Sequence, residues 1–267
     1  MKSETLNIES IKEIQRKLSS LLGVSGHEEE VSNFILEEIE KRDLADKSWI
    51  DSLGNVLAIK EGSVKDNRIL LDAHIDEIGF MVSHIDKNGF LRFVSIGGWD
   101  SRILLGQSVI LKSGDGKLYN GIIGSKPIHL TTIEERKKVV DISNMYIDIG
   151  MASEKEVRDN YIKIGTVGTL FDPFVDFPNG MVRGKAFDDR TGCNVLLHTM
   201  MLLKEKQHSD TVLFNYAAQE EVGGFGAITG AYELRPTMAI AIENTTAADV
   251  PGIEDSKNPV TIGEGPA

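Results

Sequence analysis

Residues able to bind metal ions or to move protons occur in four short stretches of this sequence. They are His74 and Asp76 in DAHIDEIGF, the acidic pairs Asp188–Asp189 in KAFDDRTGC and Glu220–Glu221 in QEEVGGFG, and Glu243 after the apolar run MAIAI. Imidazole nitrogens and carboxylate oxygens are common ligands of divalent metal ions, and carboxylates also act as general bases. The residue types therefore indicate a metal centre.

The spacing within two of these stretches supports this interpretation. In a strand, residues two apart face the same way, so the His74 imidazole can bind a metal while Asp76 orients it from the outer shell. Adjacent residues diverge, so one carboxylate of the pair Glu220–Glu221 can bind a metal and the other can address a metal-bound water. The glycines at 223, 224 and 226 let backbone pass close by.

Taken singly, each motif also has a purely structural interpretation. The pair His74–Asp76 fits a satisfied polar pair, Asp188–Asp189 fits a helix cap, and Glu220–Glu221 fits a solvated turn. Glu243 is different, since a carboxylate that ends a buried strand needs a partner. All four stretches lie near strand ends or turns, and the carboxyl ends of strands in an open α/β sheet meet at one crevice. We therefore expect them to converge.

Hydrophobic periodicity predicts the elements that position these residues. Apolar residues spaced by three and four predict one helix from Ile8 to Leu22 and a second within SGHEEEVSNFILEEIEKR. VLAIK and RILLDAH read as strands. Near the other end, DRTGCNVLLHTMMLLKEK predicts a long helix, and TVLFNYAAQE and PTMAIAIEN predict buried strands. Helices alternating with apolar strands indicate an α/β domain.

The segment from Gly79 to Pro178 has a different pattern. Alternating segments flank Asn88-Gly89 and the glycines at 114 and 116, which is typical of β-hairpins. One helix, SEKEVRDN, interrupts them. Many short strands with glycine turns indicate a small barrel or sandwich. We predict a discontinuous α/β domain, residues 1–78 and 179–267, interrupted by an all-β insertion, residues 79–178.

The composition argues against nucleic acids and anionic membranes as partners. The 267 residues carry a formal net charge of −12, which disfavours nucleic acids and anionic membranes. Cys193 is the only cysteine, as expected in a reducing compartment, and the N-terminus lacks the apolar region of a signal peptide. These features predict a cytoplasmic protein. We expect Cys193 and His198 to be structural, His84 to lie on the surface of the insertion, and His129 to lie in a loop of the insertion that could make contacts between subunits.

The motifs together resemble a known family. DAHIDEIGF, KAFDDRTGC, QEEVGGFGA and TTAADVPG are similar, in order and spacing, to motifs of the cocatalytic metallo-aminopeptidases that include glutamyl aminopeptidases and tetrahedral aminopeptidases, some of them named endoglucanases. SGHEEEV, FVSIGGWD and GIIGSKPIHL match as well. The resemblance covers essentially the whole chain.

The resemblance implies a mixed-sheet α/β sandwich peptidase domain interrupted by a barrel-like domain, through which dimers assemble into a dodecamer. It implies two divalent metal ions per subunit, zinc or else cobalt or manganese, and peptide substrates. Carried over by motif, His74 and Glu243 bind one ion, Asp188 bridges to the second and Glu221 binds that second ion. Glu220 is then the general base for a hydroxide on the metals, and Asp76 supports His74.

Two features depart from the family pattern. The family has Asp where this chain has Glu243, and it has a further histidine ligand that nothing after Glu243 supplies. NPVTIGEGPA reads as a strand entering a turn, so we expect the natural sequence, and the missing ligand, to continue beyond Ala267.

Two alternative functions remain open at the sequence level. A glycosidase would need two carboxylates on opposite sides of a sugar bond, which adjacent Glu220 and Glu221 do not readily provide, and Trp49 and Trp99 are the only tryptophans. A non-catalytic assembly protein on the same scaffold would not need the base Glu220. An aminopeptidase is the function that we predict.

Overall fold

The computed structural model describes residues 7–204, 206–254, 256 and 260–266, together with the backbone alone at position 65. The sequence predicted a strand entering a turn in residues 258–267. Residues 260–266 contain a turn, at residues 262 and 263, but no strand. Positions 258, 259 and 267 lie outside the described residues. None of the helices formed by the described residues combines the length and hydropathy that crossing a bilayer requires.

Two helices and three strands form the first part of the chain. They are α1 (Ile8–Ser20), α2 (Glu29–Lys41), β1 (Lys47–Ile50), β2 (Val56–Lys60) and β3 (Val64–His74). Helix α1 begins where the Asn7 side chain accepts the Glu9 N–H at 3.1 Å, an N-cap that satisfies one of the free donors of the first turn.

The middle of the chain is a closed six-stranded barrel. Its strands are β4 (Gly79–Ile85), β5 (Leu91–Ile96), β6 (Ser108–Lys112), β7 (Leu118–Gly124), β8 (Tyr146–Asp148) and β9 (Val167–Leu170), in the order β4-β5-β8-β7-β6-β9. Short helices α3 (Ile133–Arg136) and α4 (Glu154–Asp159) lie in its connections. The hairpins predicted at Asn88-Gly89 and Gly114–Gly116 are the β4–β5 and β6–β7 turns.

The last part of the chain returns to the sheet. It contains β10 (Val175–Asp176), β11 (Val182–Arg183), α5 (Phe187–Lys204), β12 (Asp210–Ala217), α6 (Phe225–Leu234) and β13 (Met238–Ala241). The mixed five-stranded sheet has the order β1-β2-β12-β3-β13, in which β12 and β13 both run parallel to β3. The predicted fold class, an α/β sandwich with a barrel-like insertion, is confirmed.

Helices cover the sheet on both faces. Leu18 of α1, Ile35 of α2 and Leu196 of α5 share one fully buried cluster with Phe214 of β12, and Leu234 of α6 packs in a second cluster. Each such aliphatic side chain contributes about 1.5–3 kcal/mol by leaving water. The barrel has a separate apolar core. This agrees with the different hydrophobic pattern that the sequence shows in residues 79–178.

One prediction about the sheet is wrong. The strand in PTMAIAIEN is exposed along its length, with Met238 57% and Ile240 47% accessible. Among the described residues, β13 pairs with β3 alone and forms an edge of the sheet. An apolar composition therefore does not imply burial at this strand.

A buried ionic cluster joins the sheet to the barrel just after β3. Glu77 Oε1 accepts hydrogen bonds from Lys185 Nζ at 2.7 Å and Arg190 Nη2 at 3.1 Å, while Oε2 accepts one from Thr169 of β9 at 3.3 Å. Burial lowers the pKa of Lys185 to about 8, against the opposing effect of Glu77. The Glu77 carboxylate therefore belongs to this joint.

Candidate active site

The chemically active residues lie where three parallel strands end together. His74 is the last residue of β3 and is opposite Ala217, the last residue of β12, and Ala241 of β13 is opposite Asp72. Glu220 and Glu221 follow β12, and Glu243 follows β13. Parallel strands place their carboxyl ends on one edge, and the structure brings these residues together there.

The His74 imidazole lies at the centre of the group. Its ring is 2% exposed, and Nε2 is 3.0 Å from Asp188 Oδ1 and 3.8 Å from Glu243 Oε2. Glu220 Oε2 is 3.9 Å from the same nitrogen. On the other side of the ring, Nδ1 lies 3.2 Å from Asp76 Oδ1. One nitrogen of the ring is thus held from behind while the other faces three carboxylates.

Asp76 connects His74 to the turn that follows β12. Its carboxylate is fully buried and accepts the Glu220 N–H at 3.0 Å, the Glu221 N–H at 3.1 Å and the Ser25 hydroxyl at 2.6 Å. Burial opposes ionisation of Asp76, but the nearby His74 imidazole and the hydrogen bonds from Ser25 and Glu220 hold its pKa below the ordinary value. The Asp76 carboxylate therefore fixes His74 and the acidic pair relative to one another.

Asp188 lies in the first turn of α5 before helical backbone angles begin. Its side chain is 63% exposed and faces His74. The peptide bond that follows it is cis. The next residue, Asp189, is fully buried and faces away from solvent. The two carboxylates predicted as a possible helix cap therefore have separate environments.

Glu221 lies beside the group formed by the other carboxylates. Among the described residues, one set of three potential ligands has its donor atoms within 4.8 Å of one another: His74, Asp188 and Glu243. Glu221 is outside that set and is half-buried. Burial, together with the charges of Asp188, Asp76 and Glu220, raises the pKa of Glu221 to about 7.

The electrostatics of the group match those of a cation site. Burial lowers the pKa of His74, but the adjacent carboxylates of Asp188 and Asp76 outweigh burial and raise the pKa to about 11. Burial raises the pKa of Glu243 above its usual range. A divalent ion bound by His74 would replace the imidazole proton.

The donor set fits a divalent metal ion on chemical grounds. One imidazole nitrogen and carboxylate oxygens are ligands that zinc, cobalt and manganese accept. The contact between His74 Nδ1 and Asp76 is the arrangement by which a carboxylate orients a metal-binding histidine. His74, Asp188 and Glu243 could hold one ion, and Asp188 with Glu221 could contribute to a second.

Two buried residues beside the site, Ser25 and Glu28, were not predicted from the sequence to belong to it. Ser25 donates to Asp76, and Glu28 accepts the Gln219 N–H at 3.1 Å and the Gly26 N–H at 2.7 Å. Burial raises the pKa of Glu28 to about 7. The motif SGHEEEV contains both side chains, so its polar residues before a helix were the available signal.

The residues expected to be structural occupy such positions. Cys193 is fully buried and its Sγ donates to the His74 carbonyl at 3.1 Å, and burial raises the pKa of its thiol well above the usual value. His198 is buried with Nδ1 3.0 Å from the Asn194 carbonyl. His84 and His129 are exposed.

An α/β sheet with candidate metal ligands at its carboxyl edge is the arrangement expected of a metal-dependent hydrolase. Residues 54–267 match the profile of the M42 glutamyl aminopeptidase family. The chain is 32% identical to the lysyl aminopeptidase of Pyrococcus furiosus, over 88% of this chain and 66% of that protein. The chain belongs to the M42 glutamyl aminopeptidase family and is a metallo-aminopeptidase, a hydrolase of peptide bonds.

Solved structures share this fold over most of the chain. The TET aminopeptidase from a marine sediment archaeon, Thaumarchaeota archaeon SCGC AB-539-E09, is 40% identical with a TM-score of 0.92, covering 97% of this chain and 72% of its own. The TET1 peptidase of Pyrococcus horikoshii, which can assemble into a tetrahedron or a large octahedral shell, is 33% identical with a TM-score of 0.79, covering 90% of this chain and 72% of its own.

Proposed function

We propose that this protein removes N-terminal residues from peptides at a centre of two divalent ions. His74 and Glu243 would hold one ion, Asp188 would bridge, and Glu221 would hold the second. The observation that carries the proposal is the convergence of His74 Nε2 with the carboxylates of Asp188 and Glu243 within 4.8 Å.

Each remaining residue has a role that its position supports. Asp76 keeps the imidazole oriented through Nδ1 and holds the Glu220–Glu221 turn by two backbone N–H groups. Divalent ions in the site would supply Lewis-acid polarisation of the scissile carbonyl. Glu220 is the proposed general base, taking a proton from the attacking water and delivering it to the leaving amine.

The proposed base is placed to act on solvent. Its side chain is 44% exposed, while its backbone N–H is fixed by a buried carboxylate. Glu220 Oε2 lies 3.9 Å from His74 Nε2. Glu220 is therefore next to His74, Asp188 and Glu243 without being one of these three proposed ligands. This arrangement supports a proton-transfer role for Glu220.

We further propose that zinc is the native ion, with cobalt or manganese as substitutes, and that residues 1–78 and 179–267 form the catalytic domain.

The barrel of residues 79–178 is proposed to mediate self-association into dimers and a dodecamer. Exposed apolar side chains in one barrel connection support this: Ile128, Leu130, Ile133 and Val139, each at least 60% accessible. A cytoplasmic location is proposed from the reduced, buried Cys193.

The test compares two adjacent carboxylates under the same substitution. Glu220→Gln should abolish hydrolysis of aminoacyl para-nitroanilides while leaving the content of bound Zn²⁺ unchanged. Glu221→Gln should instead lower the number of ions bound per chain. Normal turnover by Glu220→Gln would refute the assignment of the base.

Two further arms separate the other functions. An aminopeptidase loses activity on the para-nitroanilides after chelation and has none on carboxymethylcellulose, whereas a glycosidase would show the opposite substrate preference. A chain with bound Zn²⁺ and no hydrolysis of any aminoacyl substrate would identify a non-catalytic protein. The same panel would reveal the preferred N-terminal residue.

A further inference from the structure

Asp189 is a buried carboxylate that lies beside the proposed ion site without being part of it. Its side chain is fully buried, and its two oxygens accept three hydrogen bonds from separate parts of the chain. Oδ2 accepts the backbone N–H of His74 at 3.2 Å. Oδ1 accepts the Gly192 N–H at 3.1 Å and the Asn244 side-chain amide at 2.9 Å.

Asn244 extends this connection to the third strand end. The same Nδ2 that donates to Asp189 also donates to the Phe187 carbonyl at 2.7 Å. Asn244 directly follows Glu243, and its own backbone N–H donates to Glu243 Oε1 at 2.8 Å. The amide therefore ties the end of β13 to the first turn of α5.

All three proposed ligands of the first ion are thus attached to one carboxylate. His74 is bound through its own backbone, Asp188 is the preceding residue, and Glu243 is connected through its neighbour Asn244. These segments are far apart in the sequence, and the strand pairing of β3 and β13 ends before Glu243. The shared acceptor links the three segments at the site itself, beyond the Ile242 N–H that donates to the Asp72 carbonyl at 2.8 Å and the Cys193 thiol that donates to the His74 carbonyl at 3.1 Å.

We propose that Asp189 and Asn244 are positioning residues that set the separation of His74, Asp188 and Glu243, and thereby the affinity and geometry of the first ion. This rests on the proposed function, in which those three side chains hold an ion. Asp189 acts through others, since its oxygens are occupied by N–H donors. Supporting residues of this kind typically change metal affinity about 10- to 100-fold.

A purely structural role makes a different prediction. Asp189 also caps α5 through the Gly192 N–H, and asparagine caps helices about as well as aspartate. Asp189→Asn therefore keeps the cap but replaces one acceptor oxygen by an N–H₂ group that meets another donor. A role limited to capping predicts no effect of this substitution on metal binding.

The close fit around Asp189 restricts how the variant can adapt. A Cβ on Gly192 would come within 2.5 Å of Asp189 Oδ2, so the carboxylate is packed against the backbone of α5. The amide of Asp189→Asn cannot move away from His74 and Asn244 together. One of the two links should therefore be lost.

The experiment titrates Co²⁺ into the metal-depleted chain and follows visible absorption, which reports both affinity and ligand geometry. Asp189→Asn should bind Co²⁺ about 10- to 100-fold more weakly than the wild type and with an altered spectrum. Asp86→Asn is the matched control, since Asp86 accepts two backbone N–H groups in a barrel hairpin. Its Co²⁺ binding should equal that of the wild type.

Asn244→Ala provides an independent variant, because Asn244 is exposed and its loss should leave folding intact. It should weaken Co²⁺ binding about 10-fold and alter the spectrum, with an unchanged melting temperature for the metal-free chain. Asn160→Ala, which removes a half-buried asparagine far from the site that donates to a backbone carbonyl at 2.9 Å and accepts the Tyr119 hydroxyl at 3.0 Å, is its control for metal binding. If Asp189→Asn fails to fold, the Asn244 pair decides.

Two failures can be distinguished. If the wild type binds Co²⁺ and His74→Ala binds it equally well, the proposed metal site is wrong. If the wild type depends on His74 while Asp189→Asn and Asn244→Ala retain wild-type affinity and spectrum, the metal site stands and the positioning role is overturned. Weakened binding with altered spectra in both variants is the expected result.

Discussion

Replacing Asp76 by asparagine should weaken the site without removing any ligand. The Asp76 carboxylate accepts the N–H groups of Glu220 and Glu221 and the hydroxyl of Ser25, and contacts His74 Nδ1. An asparagine keeps a single acceptor oxygen. Its least costly orientation leaves that oxygen with His74 and Glu220, because the Ser25 hydroxyl can rotate to accept from the new amide.

In that orientation the Glu221 N–H loses its acceptor. A buried donor without a partner costs about 1–3 kcal/mol, which corresponds to a factor of about 5 to 150 in an equilibrium constant. This cost falls on the conformation that holds the acidic pair beside His74. We therefore expect Asp76→Asn to lower Zn²⁺ affinity by about 10- to 100-fold.

Competition with a chromogenic chelator measures this affinity directly. Ser25→Ala removes one donor and leaves the charge of Asp76, so it should lower the affinity less than Asp76→Asn does. A Zn²⁺ affinity of Asp76→Asn within twofold of the wild type would show that Asp76 does not organise the site. Equal losses in the two variants would show that the hydroxyl, and not the carboxylate charge, matters.

Three further predictions concern the site and the fold. Zn²⁺ binding at pH 7 should release at least one proton, because the His74 pKa of about 11 must be overcome; calorimetry in buffers of different ionisation enthalpy measures the release, and buffer-independent heats would contradict it. Affinity should rise with pH for the same reason. Glu77→Gln should lower the free energy of unfolding by about 3–5 kcal/mol, because two buried cations lose their carboxylate; urea denaturation tests this, and a loss under about 1 kcal/mol would refute it. Gly226→Ala should cost about 1–3 kcal/mol, since its Cβ would meet backbone atoms of Ala218; Gly98→Ala, which meets nothing, should leave the urea midpoint unchanged, and equal midpoints for both variants would contradict the clash.

Most of the helices and strands could be predicted from local sequence patterns. The spacing of apolar residues predicted α1, α2 and α5. Asn88-Gly89 predicted a hairpin because such turns need a positive φ, which glycine adopts easily. In the structure Gly89 has a φ of 88°. Helix α6 (Phe225–Leu234) was not predicted from the sequence. The exposure of β13 also could not be predicted, because neighbouring elements and not composition decide burial.

The site divides in the same way. Strand alternation predicted that His74 and Asp76 would face one site, and they do meet, although β3 ends at His74 and Asp76 lies two residues beyond it. The rule that parallel strands end on one edge indicated where the glutamates would lie. The link between Asp189 and Asn244 joins residues 55 positions apart and follows from no periodicity. Such contacts depend on how the first turn of α5 lies beside the segment that follows β13, which only the folded chain shows.

The central claim is that His74, Asp188 and Glu243 form a metal centre. Anomalous diffraction at the zinc absorption edge, from crystals grown with Zn²⁺, tests it most directly. We predict an anomalous peak bonded to His74 Nε2 and to carboxylate oxygens of Asp188 and Glu243, and no such peak in His74→Ala. Zinc found only at other residues, or a peak that persists in His74→Ala, would contradict it.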